Sequence, residues 1–234
     1  MEHFMGTAYF QIDPSYAVLR RDMLAYAEEH LCLVKDGCKA LRIYINDWDN
    51  EFQDMAAEMG YRKQEQDRAK HTGFEAMSHF VISDPFPEIS LPDGFRLKSL
   101  AEDNDMRKLT RVLYRGFDHG GEPPDDGIEE RRFMQSAPNY RKHLNIVVEA
   151  PDGNFVSYCG MWYEPVHRIA CVEPVCTDAD YRRMGLASAA VLEGIRRCGE
   201  QGATVAYVEA IRPLYLSIGF RQVYNRSAWR REWA

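Results

Sequence analysis

The sequence predicts an α/β fold: an α+β mixed sheet with helices on both faces, in three layers. Three observations carry this expectation. From residue 95 onward, β-rich runs alternate with helical stripes. An apolar strand over residues 169–177 runs into a basic, glycine-containing turn that opens a helix. A similar order of elements occurs 165 positions earlier.

The second copy reads in order as follows. Residues 95–100 are a strand, and residues 104–117 show a helical stripe through Met106, Leu109, Val112 and Leu113. Residues 119–126, rich in glycine, proline and acid, form a loop, and a second helical stretch covers 128–134. The β-rich runs 145–149 and 155–163 flank Pro151-Asp-Gly-Asn154, a hairpin signal. After strand 169–177, Val191, Leu192, Ile195 and Cys198 recur at helical spacing over 188–198. Residues 204–209 are a strand, 213–217 a short helix, and a final strand lies near Val223.

The first copy mirrors this order. Asp13-Pro-Ser-Tyr16, a stripe through Met23, Leu24, Ala27 and Leu31, then Gly37 and strand 41–45 echo the run that begins at Asp178-Ala-Asp-Tyr181. Tyr16 and Tyr181 lie 165 positions apart, as do Gly37 and Gly202, and Met59-Gly-Tyr-Arg62 echoes Ile218-Gly-Phe-Arg221 at a slightly different offset. At the 165-residue offset Arg20 stands for Gly185 and Asp22 for Ala187. Bulk and a carboxylate there make the first copy a structural remnant that holds no phosphate. It opens on a mid-fold strand, residues 6–12, without room for the strands that would precede it. A strand at 80–82 follows, and 83–94, with three prolines and a glycine, is the linker. The expected division is therefore 1–82, a partial degenerate half; 83–94, linker; and 95–234, the competent domain.

Composition narrows the function. At 234 residues with 45% hydrophobic side chains there is material for a sizeable core, and a net charge of −7 argues against a nucleic-acid footprint and suits a cationic partner. The six cysteines, Cys32, Cys38, Cys159, Cys171, Cys176 and Cys198, show no C-x-x-C pairing and fit a reducing cytoplasm. Neither a membrane span nor a signal peptide is expected, and a homodimer is compatible with the chain.

The turn at 182–187 sits at a helix N-terminus, where free backbone N–H groups and the dipole favour phosphate, and Gly185 and Ala187 leave room for close approach. The glycine spacing of a Walker loop or a dinucleotide fingerprint is absent. The residues alone thus indicate a phosphate-bearing ligand.

Arg182-Arg-Met-Gly-Leu-Ala187 resembles the Arg/Gln-x-x-Gly-x-Gly/Ala signature of the GCN5-related N-acetyltransferase (GNAT) superfamily, and Leu214-Tyr-Leu-Ser-Ile-Gly-Phe220 is similar to its later Tyr-x-x-x-Gly-Phe element. The resemblance covers roughly residue 95 to the C-terminus and implies a GNAT-like acyl-CoA acyltransferase fold, in tandem with a degenerate first copy. It implies acetyl-CoA as cosubstrate and no metal. Val175, Cys176 and Thr177 would pair with the pantetheine arm, and Arg182, Arg183, Met184, Gly185, Leu186, Ala187 and Ser188 would hold the pyrophosphate. Pro174 is either the bulge at which such a sheet opens or a strand-end breaker. Where many relatives carry a cofactor-touching asparagine, this chain has Ala210-Ile-Arg-Pro213. Arg212 there either approaches a phosphate or lies on the surface.

The implied chemistry joins an amine to an acetyl group. An alkylamine near pKa 10 must first lose a proton, a developing oxyanion needs a donor, and the leaving thiolate needs a proton. The Val175 N–H is the donor candidate. Tyr215, at the motif position facing the sulfur, is the acid candidate, against the plainer reading of a core tyrosine. Glu173 is the base candidate, against a strand-edge glutamate paired with arginine. His119 is a weaker base candidate in the acceptor loop, and Cys176 reads as packed rather than nucleophilic. Glu122, Asp125, Asp126, Glu129 and Glu130 form either an acceptor wall for a cationic small-molecule amine or a solvated acidic loop. Trp162 and Tyr163 form either an aromatic wall or core. The expectation is a cytoplasmic N-acetyltransferase using direct transfer in a ternary complex. The alternatives are a non-catalytic CoA-binding sensor or interaction protein, and a nucleotide-dependent enzyme, against which the missing lysine after the glycine turn counts.

Overall fold

The structure is a computed structural model that describes residues 6–65, 74–124 and 127–234. In chain order the first elements are β1 (Thr7–Tyr9), a 3-10 turn (Pro14–Leu19), α1 (Arg20–His30), β2 (Leu33–Lys35), β3 (Cys38–Asn46), α2 (Asn50–Glu58) and β4 (Arg62–Lys63). Next come β5 (Phe74–Val81), β6 (Arg96–Ser99), α3 (Met106–Gly116), α4 (Gly127–Gln135), β7 (Ile146–Glu149), β8 (Phe155–Glu164) and β9 (Ile169–Thr177). The chain ends with α5 (Leu186–Glu200), β10 (Val205–Val208), α6 (Pro213–Ser217) and β11 (Arg221–Trp233).

Contacts group these elements into two compact units. One is Met1–Met77 with Gln222–Ala234; the other is Ser78–Arg221. The closing strand therefore groups with the first 77 residues, whereas the sequence division assigned it to 95–234. The reason is pairing: β11 runs antiparallel to β3 from Arg226↔Asn46 to Trp233↔Lys39. Residues 83–94 carry no regular structure, yet Phe86, Ile89 and Leu91 pack on the core of the second unit.

In the first unit β3 is the hub. It pairs parallel with β1, antiparallel with β2 and antiparallel with β11, and its Leu41, Ile43 and Ile45 alternate into the core. Leu24 and Ala27 of α1, Phe52 and Ala56 of α2, and Trp229 of β11 close that core.

The second unit has the expected three layers. Strands β6, β7, β8 and β9 are successive antiparallel neighbours, β10 adds in parallel to β9, and the last residues of β5 pair with β10. The pleat sends Ile146 and Val148 to one face, with Val191 and Ile195 of α5, and Val147 to the other, with Leu109 and Val112 of α3. Burying large aliphatics on both faces at about 1.5–3 kcal/mol each makes this sheet the stable frame of the unit.

Local geometry is alike at two of the matched positions and differs at a third. Asp13 and Asp178 each hold the N–H two residues on with a carboxylate oxygen, at 2.8 and 3.2 Å. Each also accepts from its tyrosine through the backbone, Tyr16 N–H to Asp13 O at 2.8 Å and Tyr181 N–H to Asp178 O at 2.9 Å. At the later echo, α2 and α6 end alike: Gly60 donates to Ala57 O and Tyr61 to Ala56 O, as Gly219 donates to Leu216 O and Phe220 to Tyr215 O. Both are Schellman closures. The Gly37–Gly202 correspondence does not hold. Gly37 follows Asp36 in the two-residue β2–β3 hairpin turn, with φ of 79° and 52° respectively, whereas Gly202 ends α5.

Candidate active site

The site is built where β9 leaves its neighbours. The β9–β10 ladder ends at Cys171↔Tyr207, while β9 continues to Thr177. On the β8 side the register shifts between Cys159↔Val175 and Met161↔Val172, so β9 carries one extra residue at Glu173–Pro174. Pro174 thus sits in a bulge. Gly160 opposite permits it, because a Cβ there would lie 2.5 Å from the Glu173 carbonyl oxygen.

Beyond the bulge the alternation fixes which backbone groups are free. Asp178 N–H bonds Val156 O at 2.9 Å, which makes Cys176↔Tyr158 the next bonded pair and turns the polar groups of Val175 and Thr177 away from β8. Thr177 O accepts Arg182 Nε at 3.3 Å on that outer side. The Val175 N–H faces the same gap, where β10 has ended.

The chain then turns sharply into α5. Arg183 and Gly185 adopt φ of 62° and 81°, no side chain caps the helix, and a Cβ on Gly185 would meet nothing within 4 Å. The N–H groups of the first turn, Leu186, Ala187 and Ser188, have no intrahelical acceptor. A cavity of about 560 Å3 joins these features, lined by Val175, Cys176, Thr177, Arg182, Arg183 and Gly185 to Ser188, together with Gly116, Arg212 and Leu214. Among the described residues Arg183 and Arg212 make no ion pair, so two cations stand free beside an open helix start. Arg182 is engaged with Asp118 Oδ1 at 2.7 Å and Gly116 O at 3.2 Å. This cavity fits a phosphate-bearing chain with amides.

Not every candidate converges on it. Met184 lines a neighbouring cavity of about 600 Å3 with Gly185, Ser188, Pro87 and Leu91. Tyr215 and Glu173 line neither cavity. Tyr215 is 7% exposed, sits in the core edge-on to Phe220 at 5.4 Å, and its hydroxyl makes no hydrogen bond among the described residues. Burial, then the nearby Cys159 and Glu173, raise its pKa well above the usual phenol value. Glu173 has no ion-pair partner among the described residues, and desolvation raises its pKa. Its backbone carbonyl accepts the Trp162 indole N–H at 2.9 Å. Tyr163 belongs to the core and donates to Gln201 O. Cys176 is buried under α3, its thiol pushed up to about 12 by burial.

A further pocket of about 410 Å3 lies on the α3–α4 side of the bulge. It is lined by Leu113, Tyr114, Phe117, His119, Arg131 and Pro174 among others. The acidic cluster is largely neutralised: Glu122 pairs with Arg111, Glu129 with Arg132 and Glu130 with Arg131, at 3.3, 2.6 and 3.1 Å. Asp125 and Asp126 lie outside the described residues. Arg131 Nε is buried and has no hydrogen-bond partner among the described residues.

Sequence reasoning missed the clamp behind the turn. Asp178, fully buried, takes Arg115 in a fork at 2.6 and 3.0 Å and Arg111 at 3.4 Å. Burial opposes its charge, but these guanidiniums outweigh that and hold its pKa below the usual carboxylate value. The Arg111/Arg115 spacing on α3 is a one-turn pair facing one side, the only signal the sequence held.

Comparison with known proteins gives a consistent picture. The family model described as "Acetyltransferase (GNAT) family" matches residues 105–220. The fold is similar to a GCN5-related N-acetyltransferase from Sphaerobacter thermophilus, with 15% identity, TM-score 0.71, and coverage of 97% of this chain and 72% of that one. It is also similar to a tandem GNAT protein from the clavulanic acid biosynthesis pathway, with 13% identity, TM-score 0.67, and coverage of 97% and 75%. A third resemblance is to the glucosamine N-acetyltransferase region of a fungal multi-domain GH3 β-N-acetylglucosaminidase, with 13% identity, TM-score 0.62, and coverage of 97% and 30%. No curated protein matches the sequence. No helix among the described residues is long and apolar enough to cross a membrane, and none of their His, Cys, Asp and Glu clusters suits a metal.

Proposed function

Since this chain belongs to the GNAT acetyltransferase family through residues 105–220, we propose that it transfers the acetyl group of acetyl-CoA to a primary amine of a small molecule, directly, in a ternary complex. The observation that carries this reading is the continuous path from the unpaired outer edge of Val175 and Thr177 to the uncapped start of α5. Val175 and Thr177 hold the amides of the pantetheine arm. The N–H groups of 186–188 with Arg183 and Arg212 hold the pyrophosphate. When bound, acetyl-CoA supplies an activated thioester.

The chain's own groups do the rest. The Val175 N–H would donate to the thioester carbonyl oxygen as negative charge gathers there under attack by the amine. Glu173, its pKa raised, takes the proton of the incoming ammonium, and Tyr215, neutral through the physiological range, donates its phenolic proton to the leaving sulfur. The pocket between α3, α4 and Pro174 receives the amine. Leu113, Phe117 and Pro174 suit an apolar body, and Arg131 Nε suits a hydrogen-bond acceptor on the substrate. The cytoplasm is the compartment we assign.

One observation favours the second reading, a CoA-binding sensor: Tyr215 lies outside the cavity lining. Calorimetric titration of acetyl-CoA into wild type and Gly185→Glu tests the cofactor site, since the carboxylate projects into open space where phosphate belongs. Binding by wild type alone is expected. A wild type that does not bind overturns the reading. Thiol release across an amine panel then separates enzyme from sensor, for which no amine turns over and Tyr215→Phe is silent.

A further inference from the structure

The first unit holds a cavity of its own, of about 660 Å3, lined by Phe10, Ile12, Arg20, Asn46, Trp48 and Asp49 among others. Its place in that unit repeats the place of the acetyl-CoA cleft in the other. Residues 10–12 prolong β1 beyond its last pair, Tyr9↔Tyr44, as Val175 to Thr177 prolong β9 beyond Cys171↔Tyr207. Arg20 opens the helix that follows the Asp13 turn, as the Gly185 turn opens α5 after Asp178. Asn50 opens α2 as Pro213 opens α6.

The chemistry has been exchanged. The 3-10 turn feeds directly into α1, with Arg20 right-handed at φ −56° and its N–H on Ala17 O, so no free turn of N–H groups faces the cavity. The Arg20 guanidinium is held by Asp49 at 2.8 Å and lies 4.0 Å from Glu51. One cation against two carboxylates leaves the lining anionic, where the cleft of the second unit is cationic. Trp48 offers an indole that is 65% exposed. Asn46 lines the cavity, and its Oδ1 is buried with no donor among the described residues.

We propose that this cavity is a second binding site, for a small protonated amine with an apolar body. The ammonium N–H donates to Asn46 Oδ1, Asp49 and Glu51 balance its charge, and the apolar body lies on Trp48. A polyphosphate finds no free first turn of helix N–H groups there, and the lining arginine is already held by Asp49.

The test is calorimetric titration of the full chain with phenethylammonium, its neutral counterpart 2-phenylethanol and the anion 3-phenylpropionate, without acetyl-CoA so that no turnover occurs. Saturable binding of the amine alone is expected, weakened at least about tenfold in both Asn46→Leu and Trp48→Ala. Trp48→Ala alters an exposed side chain, and an unchanged circular-dichroism spectrum and thermal unfolding profile certify the fold of either variant. The proposal fails if the amine does not saturate by about 10 mM, if the alcohol or acid binds as well, or if both variants stay within about twofold of wild type, which would locate the amine elsewhere.

Discussion

The starts of α1 and α5 share an aspartate-capped turn with a tyrosine leading into a helix, and beyond that turn they differ in opposite directions. At α5 the aspartate is sunk under two arginines of α3, and the backbone beyond it coils through two positive φ angles into a bare helix end. At α1 the aspartate is exposed, the backbone stays right-handed, and the two arginines present, Arg20 and Arg21, are held by Asp49 and Glu58. The lesson is that the fold supplies only a place. Whether that place takes an anion depends on who satisfies the first-turn N–H groups and whether nearby cations are already spent.

Removing the paired caps should break the symmetry most strongly. Asp178→Ala removes the buried carboxylate that holds Arg115 in a fork and leaves Arg115 with Asp180 as its remaining carboxylate partner, a loss of about 1.5–3 kcal/mol by the usual worth of charged hydrogen bonds. Thermal unfolding should show a large drop in Tm, and acetyl-CoA affinity should fall with it. Asp13→Ala forfeits only an exposed cap and should shift Tm far less; equal shifts would mean that the Asp178 clamp contributes nothing special. Next in size is Gly160→Ala. Its Cβ meets the Glu173 carbonyl, so roughly 1–3 kcal/mol of overpacking and a depressed kcat are expected, and an unaltered kcat would separate the bulge from catalysis.

Smaller still is Gly185→Ala. It has space but carries a left-handed φ, at a cost of about 1 kcal/mol, while Arg20→Gly at the matching position should create no acetyl-CoA binding in calorimetry. The least conspicuous effects depend on pH. Asp178, Glu193 and Glu102 of the second unit have pKa values held below the unfolded ones. Their contribution is full above the unfolded carboxylate range and is lost as pH falls through the folded values, so acid unfolding monitored by exchange should open the second unit's Arg115 and Arg197 contacts in that window. Glu173 runs the other way, its pKa raised, and as base it should give kcat/KM an acid limb that Glu173→Gln abolishes.

Much of the second unit was legible because its signals are local. Residues 169–177 and 213–217 appear as the same elements, and helices expected over 104–117 and 188–198 appear as α3 and α5 with shifted ends. The pairing of β11 with β3 was not, since Ser227 and Ile45 are joined across the length of the chain and register at that range leaves no trace in spacing. Equal spacing also misled: Gly37 matched Gly202 by count, while the local Asp36-Gly37 pair already spelled a hairpin. At the site, the turn and the strand edge could be read, but the Glu122–Arg111 pairing that tempers the acidic loop depends on how α3 and the loop fold back on each other.

The two-ended make-up of the first unit has a consequence for how the molecule is born. Ser78–Arg221 is continuous and is complete once Arg221 has left the ribosome, so it can fold while synthesis proceeds. The first unit has been waiting since its earliest residues, with one edge of β3 unpaired, until β11 arrives. A nascent chain stalled short of Gln222 would therefore carry a finished second unit and a β3 edge still without its partner strand.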